Sequence, residues 1–417
     1  MLRKAIAVLL VLMLVTVVAQ AQDEPQVGGE MVIGSLFVTA DIDVHTSVFE
    51  GFSRFLNASL IAVDPETGDL VPYIATSWSS SEDGTTWTFE LRDDVMFHNG
   101  DPLTAQDFVY TYEWVNNPDN GSVFARTQWE NVASVTATDT YMLEITFVQP
   151  GSSALLSLTT PGTAPLSQNA VEAAGEDYPL NPVGTGPFRL VEFEPQQRIA
   201  MERNPDFTWG PSYTHGGPPF LEQVEIRNLQ DFNIVRDGLL SNELDAGVIV
   251  PSDVPVFENN ADFSVNSIIP GYSYPVVIFN NGQAPVDDAL VRQALNHAVD
   301  REVFLSIVGQ GRGEVTAVPV SSNMIGYTEE AQALGYSYDP DMAISLLNEA
   351  GYTDSDGDSI LDSDGEPLEL DLFVTPEFVT VRTAELLQAQ LAEIGVDVVI
   401  QQLEFAAFDE AVFFNQN

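Results

Sequence analysis

The chain of 417 residues contains no cysteine and a single lysine, Lys4. Without cysteine there can be no disulfide bond, thiolate metal site, thiol nucleophile or lipid-anchored cysteine of the bacterial lipoprotein type. Lysine is required by Schiff-base enzymes, by the phosphate-binding P-loop and by the Ser-x-x-Lys dyad. Because Lys4 lies in an N-terminal segment with the pattern of a cleaved signal peptide, the sequence excludes these classes of enzyme chemistry for the mature protein.

Basic residues of both kinds are rare. Fourteen Lys and Arg oppose 62 Asp and Glu, which gives a formal net charge of −48. Such a field repels nucleic acid and anionic membrane surfaces, so neither is expected as a partner. The sequence leaves two explanations of the acid surplus open: it serves solubility alone, or it reflects a salty or acidic habitat.

The first 21 residues have the pattern of a secretory signal peptide. Arg3 and Lys4 precede an apolar run from Ala5 to Val18, and Ala19-Gln20-Ala21 fits a small-x-small cleavage site. The run is shorter than the roughly 20 residues that a membrane span needs. We therefore expect export to a periplasm or the extracellular space, without direct insertion into a membrane.

Apolar periodicity predicts an α/β protein whose length suits two lobes. Alternation around Trp87, Phe89 and Leu91 predicts a half-buried strand, and the spacing of apolar residues predicts a helix from Thr104 to Val115. Residues 368–405 read as strand, helix and strand, a unit that suits a parallel sheet. The β-branched and aromatic residues of 272–278 predict a further strand.

The stretch "LRDDVMFHNGDPLTAQDF" contains His98 among four aspartates. The four histidines of the chain are scattered and lack metal-ligand spacing, so His98 is interpreted as a packing residue and not as a catalyst. Asn99-Gly100 favours a turn, and Thr104 with Asp107 forms a variant of the helix capping box. No catalytic set is recognisable, and the glycine-rich segments "GTGPF" and "GQGRG" lack the spacing of a phosphate-binding loop.

An acidic stretch, "DSDGDSILDSDGE", resembles a calcium-binding loop. Ser359 replaces the glycine of position 6 and Gly365 replaces the glutamate of position 12. A loosely held structural Ca²⁺ and a solvated acidic connector are the two alternatives, and no other cofactor is expected. Four aspartates match positions 1, 3, 5 and 9 of such a loop: Asp354, Asp356, Asp358 and Asp362.

Five blocks of sequence resemble one family in their order and spacing. They are "LVPYIATSW", "SEDGTTWTFELRDDVMFHNGDPLTAQDFVYTYEW", "NPVGTGPFRL", "RNPDFTWG" and "FNNGQAPVDDALVRQALNHAVDRE". The family is bacterial extracellular solute-binding protein family 5, the oligopeptide-, dipeptide- and nickel-binding components of ABC importers. The resemblance runs from about Glu30 to the C-terminus, with Asp94 at a position where the family usually has glycine. It implies a two-lobed periplasmic-binding-protein fold of the type II, clam-shell kind, closing by hinge motion.

The resemblance also implies the domain boundaries. We expect a signal peptide at 1–21, a linker at 22–29, lobe 1 at 30–270 with an extra inserted subdomain at about 48–178, and lobe 2 at 271–417. Because relatives continue beyond the region that matches "FDEAVFFNQN", lobe 2 is expected to be incomplete and the chain to be a fragment.

By resemblance, the protein captures an oligopeptide in the interlobe cleft and delivers it, as a monomer, to the transmembrane subunits of an ABC permease without catalysing a reaction. Binding of a cello-oligosaccharide or of nickel by the same fold is the alternative within the family. A secreted carboxylate-dependent hydrolase is the alternative from another class. The resemblance also assigns eight residues to ligand binding: Leu36, Phe37, Val38, Phe124, Tyr272, Tyr274, Val276 and Ile278. For each of them, plain core packing is the alternative interpretation.

Overall fold

The structure is a computed structural model that describes residues 25–47, 52–266, 276–318, 320, 322, 327–376, 378–404, 407–408 and 410–414. The chain divides into two compact units, Met1–Val248 and Ile249–Asn417. The predicted signal peptide and the predicted lobe boundary at 270–271 lie outside the described residues, and the predicted domain limits stay predictions. Within the described part, no helix combines the length and the apolar character that a membrane crossing requires.

The first unit contains eleven strands, five α-helices and four short 3₁₀ helices in its described residues. The strands are β1 (Glu30–Ser35), β2 (Ile61–Val63), β3 (Leu70–Pro72), β4 (Ala75–Ser80), β5 (Thr86–Leu91), β6 (Val132–Asp139), β7 (Met142–Phe147), β8 (Phe188–Glu194), β9 (Arg198–Arg203), β10 (Gln223–Asn228) and β11 (Ala246–Gly247). The helices are α1 (Ser53–Leu56), α2 (Ala105–Asn116), α3 (Val123–Trp129), α4 (Gln168–Ala174) and α5 (Phe232–Leu240).

A five-stranded sheet forms one layer of this unit, in the order β11-β1-β10-β9-β8. β1 pairs in parallel with β10 and β11, whereas β9 pairs antiparallel with both β10 and β8. β8 and β9 form an antiparallel hairpin. Val38 and Leu56 join side chains of the sheet in one buried cluster, so the segment that follows β1 folds back onto the sheet.

A second sheet, in the order β4-β5-β7-β6, packs against α2. The predicted strand around Phe89 is β5, and the predicted helix is α2, which buries Phe108 and Val115. The Thr104 backbone N–H and hydroxyl donate to Asp107 Oδ2 at 2.8 and 2.9 Å, which confirms the predicted capping contact. The buried cluster of this layer runs from Ala58 to Leu158 and also contains Phe207 and Trp209, which lie beyond the range predicted for the inserted subdomain.

Asp94, the residue that departs from the family pattern, accepts a bidentate bond from Arg92. Arg92 Nε and Nη2 donate to its two carboxylate oxygens, each at 2.7 Å. This contact lowers the pKa of Asp94. The aspartate is therefore held locally by Arg92, just beyond the end of β5.

The second unit contains six helices and four strands in its described residues, besides a single π-turn at Glu410–Phe414. The helices are α6 (Val254–Glu258), α7 (Ala289–His297), α8 (Arg301–Ile307), α9 (Glu329–Gln332), α10 (Pro340–Glu349) and α11 (Phe378–Ala392). The strands are β12 (Asp362–Ser363), β13 (Glu366–Pro367), β14 (Glu369–Val374) and β15 (Asp397–Gln402).

Strands β14 and β15 pair in parallel with α11 between them, which confirms the predicted strand-helix-strand unit. The core beside them includes Leu387 and Leu391 of α11 and Leu347 of α10. The predicted strand at 272–278 is wrong where it can be compared, because Val276 to Ile278 adopt no strand conformation and all three are exposed.

Gly184 and Gly186 of "GTGPF" pack against the backbone of α1. A methyl group on either glycine would overlap the main chain at Leu56, and the Gly186 N–H donates to the Leu56 carbonyl oxygen at 2.8 Å. His98 closes the same junction: its N–H donates to Gly184 O at 2.9 Å, and its Nε2 lies 3.0 Å from Gly186 O. These glycines therefore serve close packing and not phosphate binding.

Alanine at Gly186 is expected to lower the free energy of unfolding by about 3 kcal/mol or more, because the backbone of Leu56 cannot move aside cheaply. Gly217→Ala is the matched control, since the nearest atom to its added methyl group is 3.6 Å away. Urea unfolding followed by circular dichroism measures both variants. Equal midpoints for the two would contradict the packing role of Gly186.

From the burial of His98 we also predict that the free energy of unfolding depends on pH. Burial lowers its pKa to about 4, against about 6.5 in the unfolded chain, whereas the hydrogen bond to Gly186 acts in the opposite direction. The unfolded state therefore binds the extra proton first, and unfolding free energy falls by about 2 kcal/mol as pH drops from 6.5 to 4. In urea titrations across this range, His98→Gln should remove that part of the slope and the exposed-site control His215→Gln should keep it.

Candidate functional site

The segment after β1 contains the first three residues predicted to meet a ligand. The Phe37 N–H donates to Ser35 Oγ at 3.2 Å, and the Ser35 hydroxyl donates to the Phe37 carbonyl oxygen at 2.7 Å. This local turn leaves Phe37 43% exposed, Leu36 half-buried and Val38 1% exposed in the core. Of the three, Phe37 offers the largest apolar surface to a ligand, whereas Val38 anchors the segment.

A buried pair, Asp43 and His45, fixes the other end of this segment. His45 Nδ1 lies 2.7 Å from Asp43 Oδ1, and its Nε2 donates to the carbonyl oxygen of Ala164 at 2.9 Å. Both residues are only 2% exposed, and the edge of the His45 ring faces Trp114 of α2. Because Ala164 lies 119 positions away, the pair ties the segment to a distant part of the first unit.

Phe124, the predicted cleft aromatic, projects from a helix that is anchored on its opposite side. Phe124 and its neighbour Val123 are 53% and 56% exposed. On the other face of α3, buried Trp129 donates from its indole N–H to Gly162 O at 3.1 Å. Gly162 also lies close to the side-chain amide of Gln128, which would have to shift to admit a methyl group. The helix is thus a firm support for two exposed apolar side chains.

In the second unit, Tyr272 and Tyr274 lie outside the described residues. Val276 and Ile278 are 61% and 68% exposed, and Val277 between them is also exposed. No described contact brings them to one another or to a common partner. Their assignment as ligand-binding residues stays a prediction.

Sequence reasoning missed Val123 and the Asp43–His45 pair. The spacing Asp-x-His was visible, but it is too common to mark a buried pair, and the contact with Ala164 has no local signal. Exposed apolar side chains on a soluble protein also have no sequence signature until the buried face of their helix is known.

Three of the four aspartates predicted for a calcium loop lie together. One carboxylate oxygen from each of Asp354, Asp356 and Asp358 lies within 4.8 Å of the others, and all three are exposed. Ser359, at position 6, has φ +76°, the left-handed conformation that glycine usually provides in such loops. Asp362 is engaged elsewhere, since both its oxygens accept bonds from Ser355, which lower its pKa.

A family model supplies the class of the protein. The model described as "Bacterial extracellular solute-binding proteins, family 5 Middle" matches residues 69–416. The chain therefore belongs to the bacterial extracellular solute-binding proteins of family 5, as its sequence motifs predict.

Individual relatives agree with this assignment. The dipeptide-binding protein of Escherichia coli K12 is 28% identical over 82% of this chain and 65% of its own. The oligopeptide-binding protein AppA of Bacillus subtilis is 28% identical over 93% of this chain and 71% of its own. The chain spans 64 to 71% of the length of such curated relatives.

Two solved structures confirm the predicted periplasmic-binding-protein fold. AppA of Bacillus subtilis in complex with a nonapeptide has a TM-score of 0.79 and 26% identity, over 93% of this chain and 77% of that one. NikZ of Campylobacter jejuni in complex with Ni(L-His) has the same TM-score and identity, over 92% of this chain and 75% of that one.

Breaking the Asp43–His45 pair should destabilise the first unit. His45→Ala leaves a buried carboxylate without its partner, so we expect a loss of about 3 kcal/mol in unfolding free energy. A double-mutant cycle with Asp43→Ala isolates the interaction between the two side chains. Additive losses, measured by urea unfolding, would contradict a direct contribution of the pair.

The acidic loop is predicted to bind Ca²⁺ weakly. Three exposed carboxylates supply only part of the six to eight oxygens that Ca²⁺ takes, so we expect a Kd of about 0.1 to 1 mM. Calorimetry should show this heat, and Asp356→Asn should abolish it. Asp364→Asn removes an equal charge from the same loop outside the cluster and should keep it; no heat in the unaltered protein rules the site out.

Proposed function

We propose that this protein binds an oligopeptide as the solute-binding component of an ABC importer and delivers it to the transmembrane subunits of the permease. The observation that carries the proposal is the pair of exposed aromatic side chains, Phe37 beside buried Val38 and Phe124 on a helix anchored by buried Trp129. Rigid aromatic side chains contribute large contact area at low entropic cost, which suits binding.

Peptide is favoured over the other candidate ligands by the ligands of related proteins and by the scarcity of basic side chains in this chain. Two relatives are named for dipeptide or oligopeptide binding, and one solved relative holds a nonapeptide. The main-chain hydrogen bonds of an extended peptide need few charged groups from the protein. This suits a chain with so few basic residues.

Nickel is the second candidate, because the NikZ structure contains Ni(L-His). In the described part of this chain, the only cluster of metal-ligating side chains is the exposed aspartate group of the acidic loop. Both ring nitrogens of His45 are engaged, by Asp43 and by a main-chain carbonyl oxygen, and one ring nitrogen of each of His98, His215 and His297 faces a main-chain carbonyl oxygen. Direct coordination of nickel by a histidine cluster is therefore less well supported than peptide binding.

The proposal includes the absence of catalysis. Relatives of this chain are named as binding proteins, and the residues discussed above form no nucleophile-base pair. Turnover of peptide or glycan substrates by the purified protein would contradict this part of the proposal and favour a secreted carboxylate-dependent hydrolase.

Native mass spectrometry of the purified protein should reveal a set of co-purifying peptides. Phe124→Ala should then weaken binding of a synthetic peptide from that set by about tenfold, the effect of losing roughly 1.4 kcal/mol of aromatic contact. Val191→Ala, which shortens an exposed apolar side chain of β8, is the matched control. A sugar or metal mass in place of peptides would replace the proposed ligand.

A further inference from the structure

The few positive charges of this protein are largely committed to internal ion pairs. Eight arginines in the described part each lie beside at least one carboxylate: Arg92, Arg189, Arg198, Arg203, Arg227, Arg236, Arg312 and Arg382. With Lys4 the only lysine of the chain, no lysine side chain is present among the described residues. A negatively charged group on a ligand would therefore find few basic side chains that are not already beside a carboxylate.

Three of the remaining arginines point to main-chain oxygens. Arg54 donates to Thr159 O, Arg292 to Val286 O and Asp287 O, and Arg301 to Tyr336 O. These contacts use part of the hydrogen-bonding capacity of each guanidinium. The supply of uncommitted positive charge is smaller than the count of arginines suggests.

The surroundings of the proposed peptide-binding residues are acidic. Exposed Asp119 precedes α3 and exposed Glu130 follows it, with Arg126 as the single basic residue of that helix. In the segment after Phe37, the Oδ1 atom of Asp41 is buried and has no hydrogen-bond partner among the described residues. Burial and the nearby charge of Asp43 raise the pKa of Asp41, whereas side-chain hydrogen bonds from Ser47 and Thr46 act in the opposite direction. A positive group nearby would stabilise this carboxylate as an anion.

We propose that the protein selects peptides of net positive charge, which meet it at α3 and at the segment after β1. This inference rests on the proposed function and adds the chemical class of the ligand. A protein field of this sign raises the local concentration of cationic ligands and speeds their association, and it repels anionic ones. Because such a field acts through solvent, the preference weakens as salt screens it.

The test compares three tetrapeptides, Ala-Lys-Lys-Ala, Ala-Gln-Gln-Ala and Ala-Glu-Glu-Ala, by calorimetry at 20 mM and 1 M NaCl. At low salt, the lysine peptide should bind about tenfold more tightly than the glutamine peptide and the glutamate peptide more weakly than both. At 1 M NaCl the three affinities should converge. Equal binding of all three at 20 mM would overturn the charge preference and leave the proposed function standing, whereas no binding of any peptide would overturn the proposed function itself.

Paired variants locate the preference on the protein. Asp119→Asn combined with Glu130→Gln removes two charges that flank α3, and Asp364→Asn combined with Glu366→Gln removes two exposed charges from the second unit. The first pair should reduce the lysine-to-glutamate affinity ratio at 20 mM NaCl by about threefold, because charge close to the ligand is screened least. The second pair should leave the ratio unchanged. Equal reductions in both would overturn the assignment of the face at α3.

Discussion

The buried pair of Asp43 and His45 holds the segment on which the proposed binding surface depends. Through Nε2, His45 reaches the carbonyl oxygen of Ala164 and connects the loop after β1 with the region that supports α3. Val38 closes the segment from the other side by packing in the core. An exposed aromatic residue binds a ligand well only when its backbone is held, and Phe37 lies between the end of β1 and buried Val38, ahead of the Asp43–His45 pair.

A few close contacts between distant segments also organise another part of the first unit. Close backbone packing of Gly184 and Gly186 against Leu56, with His98 on the other side, joins α1 to the loop that leads into β8. Histidines and glycines that could belong to catalytic or phosphate-binding motifs are used here for packing. The surface of the proposed binding region therefore presents apolar side chains surrounded by negative charge, which suits a binding protein.

Local patterns in the sequence predicted local structure well. Alternation identified β5, the spacing of Phe108 and Val115 identified α2, and the capping contact of Thr104 with Asp107 followed from a four-residue motif. Contacts between distant positions could not be predicted, because nothing near His45 in the sequence indicates Ala164. The strand predicted at 272–278 fails over 276–278 because β-branched composition favours a strand only where a neighbouring strand pairs with it.

Hydrogen–deuterium exchange of the segment 36–47 tests the central claim most directly. In the unaltered protein, the amides of this segment should be protected to a degree comparable with those of β1. In His45→Ala, exchange in 36–47 should become at least about tenfold faster while α11 of the second unit keeps its protection, since about 1.4 kcal/mol corresponds to each factor of ten. Unchanged exchange in 36–47 would show that the buried pair does not hold the proposed binding segment in place.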